Sequence, residues 1–472
     1  MGEPCIAVID VGKTHSKVSI WDQRGQQLGR RDRANAKTRG GHYHALDAAD
    51  IESWIAATLK EFSRLGDIST LIPVGHGAGA AILRYGRLVC APMDYEQFIP
   101  DAVQSRYASL RDDFDATGSP RLPFGLNLGA QLHWLQELDP RVLQGDALIL
   151  PWAQYWAWVL CGVAASEATS WGCHTDLWRP LKSQPSSLAI ARDWAPHFAP
   201  LRRATDVLGA LRPEWVARTG ISADARVLCG IHDSNAALLA ARGFSEIAEF
   251  ESTVVSTGTW FLAMRTPAAA AEYPRLAEHR DNLMNVDAYG KPIPSSRFMG
   301  GREIELLNGE DAQRIDTSAD QPEQLTACTA VVRAGARVLP TLAPGVGPYP
   351  HARYRWDAKP SNSIERRTAT ALYAALVADM SLELIGARER ILIEGRFADS
   401  EVFVRALASL RPDAAVYVSH AHNGVPYGAL RLLNPGLPPP GALRRIEPLS
   451  VDLSSYRTAW RNEADRLEQA AW

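Results

Sequence analysis

Three short polar stretches hold the residues best suited to chemistry. The first is Asp10-Val-Gly12-Lys13-Thr14-His-Ser16-Lys17. A tight turn here exposes backbone N–H groups, and Gly12 lets the backbone approach a phosphate closely. Lys13, Thr14 and Ser16 add donors, and Asp10 at the strand end suits Mg²⁺ held through water. The stretch is not a Walker A loop, because both G-x-x-x-x-G-K-[ST] and the following helix are missing. A plain hairpin turn is the alternative. The second stretch is Thr257-Gly258-Thr259. Two such turns facing each other would grip a triphosphate from both sides, a far more specific arrangement than either alone. The third is Gly230-Ile-His232-Asp233-Ser234-Asn235, followed by an apolar helical run. It places Asp233 at a helix N-terminus just after a strand. A carboxylate there is either a cap or a general base that takes a hydroxyl proton as a phosphoryl group transfers.

The elements that would carry these stretches read as α/β. Ile6–Asp10 is an apolar run, Val18, Ile20 and Trp21 alternate with polar residues, and Gln26–Arg31 suits a third strand. Ile51, Trp54, Ile55, Leu59 and Phe62 share a helix face, with Asp50 near the start as a cap. A strand at Ser69–Val74 then ends in the loop Gly75-His76-Gly77-Ala78. Ala248–Ser256 and Trp260–Met264 repeat the strand–turn–strand pattern of the N-terminus, so two similar α/β domains are expected. Helices at Thr368–Leu384, Ser400–Leu410 and Pro426–Leu433 and strands at Arg390–Ile393 and Ala414–Val418 complete the second. The stretch Glu310–Glu323 reads as a surface excursion.

The 472 residues carry 50 Lys+Arg against 53 Asp+Glu, a formal charge of −3, with 46% apolar residues. Neither a general nucleic-acid binder nor a polybasic membrane patch fits that balance. The six cysteines are scattered without a C-x-x-C pair, which suits reduced thiols and a cytoplasmic location. No signal peptide is expected, since Cys5–Val11 is short and contains Asp10. Ala147–Ser166 carries no charge over 20 residues. Pro151 and Gly162 cut it to a buried helix of about ten residues rather than a membrane span. Trp152, Trp156, Trp158, Trp171 and Trp178 read as core aromatics, or one or two line a sugar pocket. His42-x-His44, Cys173-His174 and His420-x-His422 have no partner at zinc spacing.

The order of Asp10-x-Gly12, Gly230-x-x-Asp233 and Ser256-Thr-Gly258-Thr259 resembles the FGGY carbohydrate kinases of the actin/Hsp70/hexokinase-like superfamily. "LILPWAQYWAWVLCGVAASEAT" looks like a family stretch, and "NVDAYGKPIPSSRFMGGRE" looks like segments of rhamnulokinase-like members. The resemblance covers about residues 5–435. It implies two RNase H-like (actin-like ATPase) domains with an interdomain cleft: a sugar-side domain at 1–244 with the base and a nucleotide-side domain at 245–440. Residues 441–472 would form a helical tail. It further implies an ATP- and Mg²⁺-dependent kinase. Asp233 would be the base and Asp10 the metal-side carboxylate. Gly12, Lys13 and Thr14 would meet the phosphates from one domain, and Thr257, Gly258 and Thr259 from the other.

One element departs from the family's glycine-rich stretch under the adenosine. Here it reads Ile393-Glu394-Gly395-Arg396-Phe397, with only Gly395 kept; Phe397 would stack on adenine or Arg396 reach a phosphate, or both are surface residues. By position, His76, Gly77, Ala78, Trp171, His174 and His232 would meet the sugar, with Asn127 and Gln131 weaker candidates. The expected partner is a small sugar, a ketose or deoxy-ketose of the L-rhamnulose or L-fuculose kind. No nucleic acid or membrane is expected, and a homodimer is compatible with the chain. The competing readings are an ATP-binding chaperone or regulatory protein, and a sugar sensor without turnover.

Overall fold

A computed structural model describes residues 3–268, 272–309, 318–420 and 424–471. The chain forms two units. One comprises Met1–Gly243, Met284–Pro292 and Asn423–Pro438, and the other Phe244–Leu283, Ile293–His422 and Pro439–Trp472.

The first unit grows from the apolar N-terminal run, which becomes strand β1 (Pro4–Val11). Its residues alternate between two cores. Ala7, Ile9 and Val11 join one cluster, Ile6 and Val8 another. A strand buried on both faces has to be apolar throughout, which is why this run lacks the polar alternation of a surface strand. β2 (His15–Trp21) and β3 (Gln27–Ala34) continue it as an antiparallel meander. Helix α1 (Ala48–Phe62) covers one face through Ile51, Ile55, Leu59 and Phe62. Its cap is Asp47 rather than Asp50: the Asp47 carboxylate accepts the Asp50 N–H at 3.0 Å. Asp50 lies in the first turn and pairs with Arg33. The helix starts three residues before the first apolar position, so the periodic pattern alone placed the cap too late.

β4 (Asp67–Gly75) runs parallel to β1. β5 (Leu148–Pro151) leads directly into helix α2 (Trp152–Cys161), which ends at Gly162 with φ 82°. Short helix α3 spans Ala168–Trp171. β6 (Val207–Ala210), β7 (Arg226–Leu228) and β8 (Ile231–His232) follow, and helix α4 (Asp233–Ala241) starts as β8 ends. The sheet order is β6-β7-β4-β1-β2-β3, with β8 also pairing with β4.

The second unit repeats this plan. β9 (Ser252–Thr257) and β10 (Phe261–Thr266) form the hairpin, and β11 (Asn282–Val286) and β12 (Pro292–Phe298) extend it. Ala248, expected in the strand, instead closes a short helix at Ser245–Ala248. Helices α5 (Gly300–Asn308) and α6 (Ser363–Leu384) precede β13 (Arg390–Gly395); α7 (Glu401–Leu410) leads to β14 (Ala415–Ser419). Helix α8 (Gly424–Leu433) joins the first unit, where it packs on α4. β15 (Arg444–Arg445) and helix α9 (Ser454–Gln469) close the chain. The sheet order is β11-β12-β10-β9-β13-β14-β15. In both sheets an antiparallel meander meets two parallel neighbours and ends in an antiparallel edge strand. The expected surface excursion lies largely outside the described residues at 310–317, as does His422.

Candidate active site

In the first unit, the carboxyl ends of three parallel strands lie side by side. Asp10 of β1 is level with Val74 of β4, and Val74 with Ile231 of β8; Val11, Gly75 and His232 form the next rung. Ligands of open α/β sheets bind at this edge. Asp10 is 6% exposed, and burial pushes its carboxyl up to about 6. Lys17, 3.5 Å away, opposes that shift, and the charge of Asp233 adds to it. A buried carboxylate whose charge is held unfavourable in this way suits a cation beside it.

Asp233 is the first residue of α4, and its side chain is about one-third exposed at 30%. The strand ends at His232, so the carboxylate stands where the helix N-terminus favours negative charge. His232 Nε2 lies 3.2 Å from Asp233 Oδ1 and 3.5 Å from Cys173 Sγ. Burial lowers the basicity of His232, with the Asp233 charge opposing. His76 is also buried and its basicity lowered by that burial. Its Nδ1 lies 2.7 Å from the Gly77 carbonyl, its ring meets Tyr95 and Trp152, and its Nε2 has no hydrogen-bond partner among the described residues. A Cβ on Gly77 would fall 2.5 Å from Cys173 Sγ and 2.8 Å from His232 Nε2. Glycine at 77 therefore lets this loop lie against Cys173 and His232. Ala78 adopts φ 54°, and Gln131 holds its carbonyl at 2.7 Å.

The phosphate-type turn is tightly closed: the Gly12 N–H reaches the His15 carbonyl at 3.0 Å, and Asn35 braces the Gly12 and Lys13 carbonyls. Thr14 is exposed. Lys13 is buried, its ammonium paired with Glu96 and 3.7 Å from Asp94, over the Tyr95 ring. Sequence reasoning missed this Asp94-Tyr95-Glu96 loop. Burial would raise the Asp94 carboxyl, but the Glu96 amide, Lys37 and Lys13 hold it below its ordinary range. It missed Glu167 as well, which caps α3 through the amides of Thr169 and Ser170. Burial pushes Glu167 up to about 7 despite those bonds, and Asp287 adds to the rise. The S-E-A-T spacing at 166–169 was the signal for that cap.

Other candidates are engaged within the fold. Trp171 is a core side chain stacked on Phe198, centroids 4.2 Å apart. Trp152 and Trp156 are likewise 1% exposed. His174 Nδ1 lies 2.7 Å from the Leu126 carbonyl, and Asn127 ties loops together through Leu122, Pro120 and Asp176.

The second unit gathers its candidates at one corner. Thr257 of β9 pairs with Gly395 of β13. The Thr257 hydroxyl donates to the Glu394 carbonyl at 2.6 Å and accepts the Phe397 N–H at 3.0 Å. Gly395 has φ 87°, and a Cβ there would strike the Thr257 carbonyl at 2.2 Å. The start of α5 comes as close: a Cβ on Gly301 would lie 2.0 Å from the Gly258 carbonyl. Around Gly258 itself there is room, its own Cβ meeting nothing nearer than 3.9 Å, and Thr259 is exposed. Arg396 pairs with Glu305 at 3.2 Å. Phe397 is 1% exposed and packs on Phe261 in the core. Among the described residues no group of three or more His, Cys, Asp or Glu side chains is placed to hold a metal, and no helix is long and apolar enough to cross a membrane.

Residues 249–440 match the model of the carbohydrate kinase FGGY C-terminal domain. Over the whole length the chain is similar to the crystal structure of a carbohydrate kinase from Novosphingobium aromaticivorans. That similarity is 55% identity, covering 97% of this chain and 100% of that one, with a TM-score of 0.93. The chain belongs to the FGGY carbohydrate kinases. This carbohydrate kinase is therefore a phosphotransferase. Its fold is shared with gluconate kinase from Lactobacillus acidophilus, at 13% identity over 99% of each chain and a TM-score of 0.78. Plasmodium falciparum glycerol kinase with ADP shares it too, at 12% identity over 98% of each chain and a TM-score of 0.79. No curated protein matches the sequence.

Proposed function

We propose that this kinase transfers the γ-phosphoryl group of ATP to a hydroxyl of a small ketose or deoxy-ketose of the L-rhamnulose or L-fuculose kind, with Asp233 as general base. The observation that carries the reading is the state of Asp233: a carboxylate at the strand-to-helix edge whose Oδ1 is bonded while its side chain stays partly exposed. As the acceptor oxygen bonds to phosphorus and the bond to the leaving ADP oxygen breaks, the hydroxyl proton passes to Asp233. Asp10 fits the role of holding Mg²⁺, because a cation would relieve the unfavourable charge that burial and Asp233 impose on it. Mg²⁺ would neutralise charge on the phosphates.

Thr257, Gly258, Thr259 and Gly395 are assigned to the nucleotide, supported by the open space at Gly258 and the exposed Thr259. Gly12, Lys13 and Thr14 are assigned to the phosphates, with Lys13 exchanging Glu96 for phosphate oxygens. His76, with its unpartnered buried Nε2, and Gly77 are assigned to the sugar. The ketose preference is supported by the likeness of 285–303 to rhamnulokinase-like members. The test is coupled ADP production across about fifty ketoses, aldoses and polyols. L-Rhamnulose or L-fuculose is expected among the best acceptors; turnover confined to aldoses or short polyols would contradict the assignment.

A further inference from the structure

Two donors converge on a single oxygen of Asp233: the Ser234 amide at 2.6 Å and the Ser234 hydroxyl at 3.2 Å reach Oδ1. His232 Nε2 lies 3.2 Å from the same oxygen. Among the described residues no donor reaches Oδ2.

The imidazole that makes the third contact is held from behind. Asn235, 1% exposed and three residues on, places its Nδ2 3.1 Å from His232 Nδ1. The His232 amide donates to the Thr169 hydroxyl at 3.1 Å, and that hydroxyl donates to Glu167 Oε2 at 2.5 Å. These bonds leave the ring little freedom. Its Nε2 faces a carboxylate oxygen at 3.2 Å and Cys173 Sγ at 3.5 Å, and a bare lone pair toward the carboxylate would be repelled. A proton on Nε2 relieves that repulsion, and on a neutral ring Nδ1 then accepts a hydrogen bond. The Asn235 amide group supplies the donor. An acceptor at position 235 would demand the opposite tautomer and turn a lone pair toward Asp233.

We propose that Asn235 and His232 are positioning residues for Asp233: Asn235 fixes the imidazole proton on Nε2, and that N–H pins Oδ1 so that Oδ2 is the oxygen presented to the acceptor hydroxyl. The inference rests on reading Asp233 as the base. It also separates two roles within Gly230–Asn235: Asp233 takes the proton, and its neighbours set which of its oxygens does so.

Nitrogen-15 spectra of histidine-labelled protein report the tautomer without any sugar. The wild type is expected to show His232 protonated on Nε2, with the signal identified by its loss in His232→Gln. Asn235→Asp is expected to move the proton to Nδ1. With the best acceptor from the sugar panel, Asn235→Asp should lower kcat about tenfold or more while KM stays within about twofold, because misplacing a reacting group costs rate rather than binding. His232→Gln, which keeps an N–H donor, should retain more activity than His232→Leu. A wild-type Nδ1–H tautomer, or Asn235→Asp leaving spectrum and kcat unchanged, would overturn the proposal. Asp233→Asn separates the two layers. If it stays active, the base reading fails and the proposal with it. If it is inactive while Asn235→Asp and His232→Leu behave as wild type, only the positioning role fails.

Discussion

Glu167 carries a stability cost whose sign is fixed by its burial. Its folded carboxyl titrates at about 7 against an ordinary 4.5. Below about 4.5 both folded and unfolded chains hold the proton. Between there and about 7 only the folded chain keeps it, so folding stability falls as pH rises and levels off above 7. A displacement of that size amounts to roughly 3 kcal/mol. Relative to wild type, Glu167→Gln should therefore gain stability as pH is raised from 4.5 to 8. Denaturant midpoints across that range check it, and a difference that does not change with pH would contradict it. Much of the site at this scale was legible. Asp233 stood out because a polar residue between a strand and a helix has few structural reasons to be there beyond capping. Asp94 and Tyr95 were not legible, since nothing local marks them; they matter through contact with Lys13 and His76, residues far away in the chain.

The elements followed from periodicity wherever a face was buried. The helix at 363–384 and the strands at 390–395 and 415–419 show this, with boundaries shifted by a few residues. What periodicity could not show is which elements meet. α8 packs on α4 so closely that a Cβ on Gly428 would lie 1.7 Å from the Ala236 carbonyl. That glycine reads as an ordinary helical residue until its neighbour is known. Gly428→Val should force the helices apart, at a cost of about 1–3 kcal/mol or more. Because α4 begins at Asp233, activity should fall along with stability. Thermal unfolding and turnover measured together check this; a variant of unchanged melting temperature would show that the contact is not required.

Across the whole molecule, the repeat glimpsed in two short turns is a repeat of sheet topology, with little sequence in common. The sequence pattern could reveal the hairpins, since each has a turn of glycine and hydroxyl residues, but could not assign 284–292 and 423–438 to the first unit. Both segments supply core there: Val286 joins the cluster of Trp171 and Leu128, and Tyr427 and Leu430 join that of Ile6 and Val8. A fragment ending at residue 243 would leave those clusters incomplete. It should bind hydrophobic dyes and lack a cooperative transition, whereas full-length protein should not bind dye and should unfold cooperatively; a cooperatively folded fragment would contradict the division of cores.

The account as a whole turns on one carboxylate. Asp233→Asn keeps the shape and the helix start while removing the base. The decisive measurement is its turnover with ATP and the best acceptor sugar, alongside calorimetric ATP binding. A fall in kcat of at least about a hundredfold with ATP affinity within a few-fold of wild type is expected; near wild-type turnover would contradict the account and leave Asp233 an ordinary residue of the first helical turn.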